Sequence, residues 1–500
     1  MQQIIQIHPS DTVAVVLRDT TVGTNLGDGL MVLEDIPQAH KVAICDLTEG
    51  APVIRYGAVL GFARAAIRRG SWVHADKIRP AEQPDLNSLL AVKPAAPAVL
   101  PEPKTKTFLG YRNDGGYAGT RNLLGIVPTV QCVAGVLDKA VEQIRKELLP
   151  RFPNVTDVAV INHAYGCGVA IDAPEAVIPI RSLQNLLEHP NFGGEPLIVG
   201  LGCEKLTPLI LAGPDRVKEA VILQDHAGYQ AMIAAILTQA EVKLRRLDRR
   251  RREELPLSDL LIGMQCGGSD AFSGMTANPA AGYAADLLVA AGATVLFSEV
   301  TEVRDAVHLL AERAADWTVL EKLIAEMEWY DRYLEAGGVD RSANTSPGNK
   351  QGGLSNIIEK AMGSVAKSGR TPIVEVLSPG ERPGKKGLIF AATPASDLVC
   401  GSEQLSSGIT LQVFMTGRGT PYGLPAAPVI KVSSRTDLKK QWPDLIDFDA
   451  GVIATGEQTI AEAGQQLFDE ILAIASGRKT WSETWGISND FCIFNPAPIT

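Results

Sequence analysis

Residues Leu260–Pro279 read LLIGMQCGGSDAFSGMTANP. The apolar run Leu260–Met264 has the length of a buried strand. It stops at Gln265-Cys266-Gly267-Gly268-Ser269-Asp270, a tail that supplies a thiol, two glycines, a hydroxyl and a carboxylate. In an open α/β sheet, the carboxyl end of a strand is where amides and short polar side chains converge on a ligand. A glycine-rich turn between strand and helix reads the same way on spacing alone. Repetition tips the balance, because the same grammar recurs along the chain.

Strand-like Leu123–Val127 leads into a helix near Cys132. Val158–Ile161 ends in Asn162-His163-Ala164-Tyr165-Gly166-Cys167-Gly168, and Leu197–Leu201 ends in Gly202-Cys203-Glu204-Lys205. Ala293–Phe297 ends in Ser298-Glu299, Leu388–Ala392 in Thr393-Pro394-Ala395-Ser396-Asp397, and Leu411–Met415 in the Thr416–Gly423 loop with Arg418. Val429–Val432 and a helix over Thr459–Ile474 are expected to close the last sheet. Apolar strand, polar tail and helix in alternation predict an α/β fold with mainly parallel sheets.

The chain has 500 residues, too many for one ordinary core. A net charge of −10 without a broad basic face argues against nucleic acid. No uninterrupted apolar run is long enough to span a bilayer. The opening MQQIIQIHPSDTVAV lacks the signature of a signal peptide, so a cytoplasmic location is expected. Seven scattered cysteines with no C-x-x-C pair argue for reduced thiols and against a zinc ribbon.

Residues 1–79 read as a small β module with strands near Val13–Leu17, Lys41–Cys45 and Val53–Tyr56; His40 and His74 stand out in it. Residues 80–107 are rich in proline (Pro80, Pro84, Pro94, Pro97, Pro101, Pro103), which predicts an extended, semi-rigid linker from which the module docks back. Residues 108–255 form a middle α/β domain and 256–500 a C-terminal one. The Phe108–Asn122 loop carries Arg112, Arg121 and Asn122, suited to carboxylates through bidentate guanidinium contacts or equally to a capped turn. The charge run Lys243–Leu255, KLRRLDRRRREEL, reads as a solvated helix end at a domain boundary. Glu302 and Asp305 suit a helix start through the macrodipole, which explains Glu299 less well. The polar loop Arg341–Asn356 contains Lys350, and Trp481–Thr500 carries no interpretable motif.

No dinucleotide fingerprint, phosphate-binding P-loop or acyl-hydrolase nucleophile elbow is present. Residue patterns therefore reach a multidomain α/β enzyme and stop short of its reaction. A resemblance goes further. His40 in A-H-K-V-A and His74 in W-V-H-A-D, with GYRNDGGYAGTRN at Gly110–Asn122, HAYGCG at His163–Gly168, GLGCE at Gly200–Glu204, the stretch from Gln265, FSEVTE from Phe297 and SPGNKQGGL from Ser346, resemble the altronate/galactarate dehydratase family. These segments run from His40 to Gly423. Asp76 stands where many members carry a second histidine. Ser269–Gly274 and Gly417–Gly423 look closer to the galactarate branch.

The resemblance implies an N-terminal SAF (β-clip) domain, Rossmann-like sheets behind it, and loss of water from a hexarate with ferrous iron to give a 5-dehydro-4-deoxy sugar acid. The partner is then a small sugar diacid, with altronate or another sugar acid as the alternative substrate and a homo-oligomer, a dimer, as the expected assembly. The chemistry fits the residue types. Removing a proton beside a carboxylate builds up charge that a divalent cation can neutralise, and proton transfer needs a positioned base and acid. Cys266, Asp270 and Glu299 are the expected ligands, a soft and hard set that suits iron. His40, His74, His163 and Lys205 are the candidate proton-transfer groups, and Arg112, Arg121, Asn122, Lys350 and Arg418 the candidate substrate contacts. An iron–sulfur cluster on Cys132, Cys167, Cys203 and Cys266 is the alternative cofactor, and a non-catalytic sugar-acid sensor the alternative function.

Overall fold

The structure, a computed structural model, describes residues 3–82, 85–93 and 99–500. It is α/β, with its deepest core around a seven-stranded sheet. The order across that sheet is Ile373–Leu377, Leu388–Ala391, Thr294–Phe297, Leu261–Cys266, Leu411–Thr416, Val429–Ser433 and Phe448–Asp449. Every neighbouring pair is parallel. Leu261–Cys266 lies at the centre and is buried along its whole length. A strand covered by helices on both faces has no solvent side, so it reads as a continuous apolar run rather than an alternation. The sheet ends at Phe448–Asp449 on one side, one strand beyond the Val429–Val432 edge that the sequence suggested.

A second parallel sheet has the order Asp157–Val160, Leu123–Pro128, Leu197–Gly200, Val221–Ile222. One face has a core of its own, built from residues such as Ile126, Leu137 and Ile236, and the other shares a cluster with the large sheet, where Leu123, Val127 and Ile198 pack with Leu261, Leu296 and Phe414. The N-terminal module is antiparallel, with one four-stranded and one three-stranded sheet.

Three segments depart from expectation in whole or in part. Pro84, Pro94 and Pro97 of the predicted linker lie outside the described residues. Its described parts do not stand off as a spacer. Pro80 ends a strand, Asp85 caps the short helix Leu86–Leu89, and Leu86 and Leu89 bury themselves in the core of the large sheet. The charge run holds a helix end with Arg245, Arg249 and Arg251 exposed, as expected, and it also does structural work. The helix Tyr229–Leu247 ends within it, and Glu253–Pro256 pairs antiparallel with Thr107–Gly110. Arg252 donates to the carbonyls of Leu109, Thr120 and Ala475, fastening the two α/β units together. The tail forms a capped helix, Trp481–Trp485, whose Glu483 receives Arg121. No described helix is long and apolar enough to cross a membrane.

Candidate active site

The carboxyl end of the central strand delivers Cys266, 1% exposed. The next residue has to be glycine. A Cβ on Gly267 would stand 2.4 Å from both carboxylate oxygens of Asp397, which opens the helix after strand Leu388–Ala391, two places along the sheet. Thr294–Phe297, the adjacent strand, ends in Ser298 and Glu299. Glu299 has φ +80° and ψ +77°, a left-handed conformation that costs a non-glycine residue about 1–3 kcal/mol. Such strain persists where surrounding structure imposes it, and it concentrates at functional sites. The twist turns the chain into the helical turn Val300–Val303, which carries Glu302.

Cys266, Glu299 and Glu302 thus meet. One potential ligand atom from each lies within 4.8 Å of the others, and all three residues are buried. Cys266 Sγ is 3.4 Å from Glu302 Oε2 and 3.9 Å from Glu299 Oε2. Facing them, the helix Ile357–Val365 and the turn after it present Lys360, Ser364 and Lys367. Lys367 Nζ donates to Glu299, to Ser364 Oγ at 2.8 Å and to Cys266 Sγ at 3.3 Å. Lys360 Nζ lies 2.7 Å from Glu302 Oε1.

Burial, then repulsion from Glu302, pushes Glu299 up to about 8 against the pull of Lys367. The same two causes push Asp397 up to about 7. Burial pushes the Cys266 thiol up to about 12. Burial alone would lower Lys367, but Cys266, Glu299 and Glu302 outweigh it and hold the ammonium above its ordinary range. Burial thus pushes Glu299 and Asp397 toward their neutral forms, while Glu299 pairs with Lys367 and Glu302 with Lys360, in a place where unbalanced charge is expensive. Glu299 Oε1 is also buried without a hydrogen-bond partner. An orphaned oxygen, two carboxyl groups and a thiol within reach of one another make a donor set that fits a divalent cation, whose charge would favour their ionised forms.

The neighbouring cavity, lined by Tyr56, Cys266, Ser269, Asp270, Lys360 and Ser364 among others, holds only about 10 Å³. That is room for about one water. The covering parts are the Pro347–Gln351 helix and the N-terminal module. Asn349 Nδ2 donates to Ser269 O at 2.8 Å. Lys41 Nζ donates to Gly353 O, and Lys41 and Arg55 both pair with Glu359.

The residues singled out in the sequence fall into three places. Cys266 and Glu299 are in the cluster. Asp270 is beside it but turned away: Oδ1 accepts from Ser273 and Ser434, and Oδ2 lies 3.0 Å from Arg435. His40 is at the covering edge. Its Nδ1 accepts from Trp72 Nε1, so Nε2 carries the proton and meets Gln351 O at 3.2 Å. Burial lowers its pKa. His74 packs on Trp72 with its Nδ1 3.4 Å from exposed Asp76. Lys350 and Arg418 are exposed, and the Arg418 side chain borders Gly348.

The structure does not bring the rest to the cluster. All five donors of Arg121 are used by Glu483 and the carbonyls of Thr120, Ile474 and Arg478. Asn122 bonds the carbonyls of Asn154 and Leu247. Thr120 donates to Thr410 O and the Ala118 amide to Asp259 O, which places this loop at the amino ends of the central strands. Arg112 pairs with Glu253 and lines a separate cleft of about 770 Å³. His163 locks the second sheet, donating through Nε2 to Pro128 O while Nδ1 accepts from the Tyr165 amide. Lys205 is exposed at the end of another strand of that sheet. Cys132, Cys167 and Cys203 are also on that sheet, exposed, apart from buried Cys266.

Sequence reasoning passed over Glu302, Lys360 and Lys367. The available signal was the spacing of the lysines: seven residues is about two helical turns, and Lys360 in the helix and Lys367 in the turn that continues it come to the same side.

Comparison with known proteins accords with this geometry. Residues 2–81 match the altronate/galactarate dehydratase SAF domain. Residues 110–248 match the D-galactarate dehydratase/altronate hydrolase second domain, and 257–499 match the D-galactarate/altronate dehydratase C-terminal domain. The chain is 56% identical to galactarate dehydratase (L-threo-forming) of Escherichia coli (strain K12), over 99% of this chain and 97% of that one. It is 34% identical to altronate dehydratase of Bacillus subtilis (strain 168), over 98% of each. It is 30% identical to the (2R)-sulfolactate sulfo-lyase subunit beta of Chromohalobacter salexigens, over 77% of this chain and 96% of that one. With similarity running from the N-terminal module to the end of the large sheet, this chain belongs to the D-galactarate/altronate dehydratase family.

Proposed function

We propose that this protein removes water from galactarate to give 5-dehydro-4-deoxy-D-glucarate, with ferrous iron held by Cys266, Glu299 and Glu302. The observation that carries the substrate is the identity of 56% to a galactarate dehydratase against 34% to altronate dehydratases. The observation that supports the metal is the buried thiol–carboxylate cluster with its orphaned Glu299 oxygen. Mixed soft and hard donors favour iron over magnesium.

When bound, the iron neutralises the negative charge that develops as the proton beside a substrate carboxylate is lost. Lys367 keeps Cys266 and Glu299 in register by holding both. Asp397, whose carboxylate faces Gly267 next to Cys266 and which burial pushes up from the ordinary carboxylate range, is our assignment for the proton acceptor. Lys360 is our assignment for the donor that accompanies the departing hydroxyl. Exposed Lys350, on the Pro347–Gln351 helix, and exposed Arg418, whose side chain borders Gly348 of that helix, are suited to the substrate's carboxylates. A cavity of about 10 Å³ cannot hold a six-carbon diacid, so entry requires the Pro347–Gln351 helix and the N-terminal module to part from the large sheet. We place the protein in the cytoplasm, a reading supported by seven free cysteines.

The test is product formation from galactarate, glucarate and altronate with ferrous iron under reducing conditions. Galactarate should be turned over at least tenfold faster than altronate. Preference for altronate would overturn the substrate, and binding without product would make the protein a sensor.

A further inference from the structure

Three of the seven cysteines are exposed, and all three occupy one edge of one sheet. Cys132 follows strand Leu123–Pro128, Cys167 follows Asp157–Val160, and Cys203 follows Leu197–Gly200. These strands are immediate neighbours and parallel, so their carboxyl ends lie side by side. The loops touch at Gly166. A Cβ there would stand 2.1 Å from Thr129 O, three residues before Cys132. The Gly166 carbonyl accepts from the Lys205 and Leu206 amides, just past Cys203. Gly166, Gly168 and Gly202, flanking two of the thiols, all have positive φ. Glycine adopts these conformations without strain, and Gln224 Nε2 donates to Cys203 Sγ at 3.3 Å. The same loop leaves the Tyr165 hydroxyl buried with no hydrogen-bond partner, although that residue is 2% exposed.

A surface thiol is a liability unless its reactivity is used, and three on adjacent loops are more than chance exposure explains. An odd number cannot be satisfied by disulfides, and all three are free. A single tetrahedral ion does not fit. Metal–sulfur bonds of about 2.3 Å put thiolates roughly 4 Å apart. The three sulfurs do not all come within 4.8 Å of one another, as the ligand atoms of the buried Cys266–Glu299–Glu302 cluster do. A larger thiophilic group reaches across a wider separation than one ion does.

We propose that Cys132, Cys167 and Cys203 together ligate an iron–sulfur cluster at the carboxyl edge of the middle sheet. Each thiol releases its proton as its sulfur binds one iron, and two ferrous ions, two ferric ions and four inorganic sulfides supply the core, so no net electron transfer is needed to assemble it. Three thiolates leave one iron of a four-iron cluster without a cysteine, hence with an exchangeable position. This site is distinct from the Cys266 cluster and does not depend on the function proposed above.

The test is to purify the whole chain anaerobically, reconstitute it with equal amounts of ferrous and ferric iron and with sulfide, and measure iron, acid-labile sulfide and visible absorption. About four sulfides per chain are expected for a four-iron cluster. Cys132→Ser, Cys167→Ser and Cys203→Ser should each reduce bound sulfide at least fivefold with an unchanged circular dichroism spectrum. Cys45→Ser, in the N-terminal module, should keep it. Glu299→Gln should alter iron content without altering sulfide, which separates this site from the other. A reconstituted chain without acid-labile sulfide, a metal bound there without sulfide, or sulfide retained by the triple variant would overturn the proposal.

Discussion

The Lys41 ammonium lies 3.0 Å from the Glu359 carboxylate, and both side chains are fully buried although 318 residues separate them. Arg55 reaches the same carboxylate, and the Ser355 amide donates to it at 2.8 Å. One glutamate thus holds two cations of the N-terminal module against the helix that also carries Lys360. Glu359→Gln would leave both cations buried beside a neutral amide. Breaking a buried pair from one side costs about 3–5 kcal/mol. The variant should lose that much stability in urea unfolding and release the module to limited proteolysis. Wild-type protease resistance would contradict this docking.

Glu302, not Asp270, shares the cluster with Cys266 and Glu299. Glu302→Gln and Glu299→Gln should therefore lower bound ferrous iron at least tenfold in equilibrium dialysis. Asp270→Asn, which disturbs contacts with Ser273, Ser434 and Arg435, should leave iron content within about twofold of wild type. The reverse order would move the metal to Asp270.

Backbone strain at Glu299 gives an independent check on the local geometry. Glycine adopts φ +80° without the penalty a Cβ incurs, so Glu299→Gly should be more stable than Glu299→Ala by about 1 kcal/mol. Both variants lack the carboxylate, and both should lack activity. If the alanine variant is the more stable, the left-handed turn is absent.

Two buried histidines set an acid limit. Burial lowers His163 to about 4 and His189 to about 3, each against a carbonyl hydrogen bond that opposes it. The unfolded chain therefore binds protons first as the pH falls. Their contribution is complete above about 6.5 and declines progressively down to the folded values. By pH 5 each should have cost about 2 kcal/mol relative to pH 7. Urea unfolding of a His163→Gln/His189→Gln variant should show a shallower fall between pH 7 and pH 5 than wild type. Parallel curves would mean these rings are protonated in the native state.

The large sheet was legible because its strands are buried on both faces. Leu261–Cys266, Thr294–Phe297, Leu388–Ala391 and Leu411–Thr416 all appear in the sequence as apolar runs with polar tails, within one or two residues of their observed limits. Cys266 and Glu299 were visible as polar residues at strand ends. Glu302 was hidden because a carboxylate in a first helical turn already has an ordinary explanation. Lys360 and Lys367 were hidden because nothing local reveals that their helix lies across the strand ends. Arg121 and Asn122 attracted a binding role by residue type, yet their partners, Glu483 and Leu247, are distant in sequence. A guanidinium fitted to carboxylates serves equally well to pin one domain to another.

The central claim is that a divalent ion on Cys266, Glu299 and Glu302 is needed to dehydrate galactarate. The most direct measurement is turnover of galactarate by exhaustively chelated protein as ferrous iron is titrated back, for wild type beside Glu302→Gln. Wild type should be inactive without metal and recover in a saturable way, with the variant requiring at least tenfold more iron. Full activity of chelated wild type, or identical iron dependence of the two proteins, would contradict it.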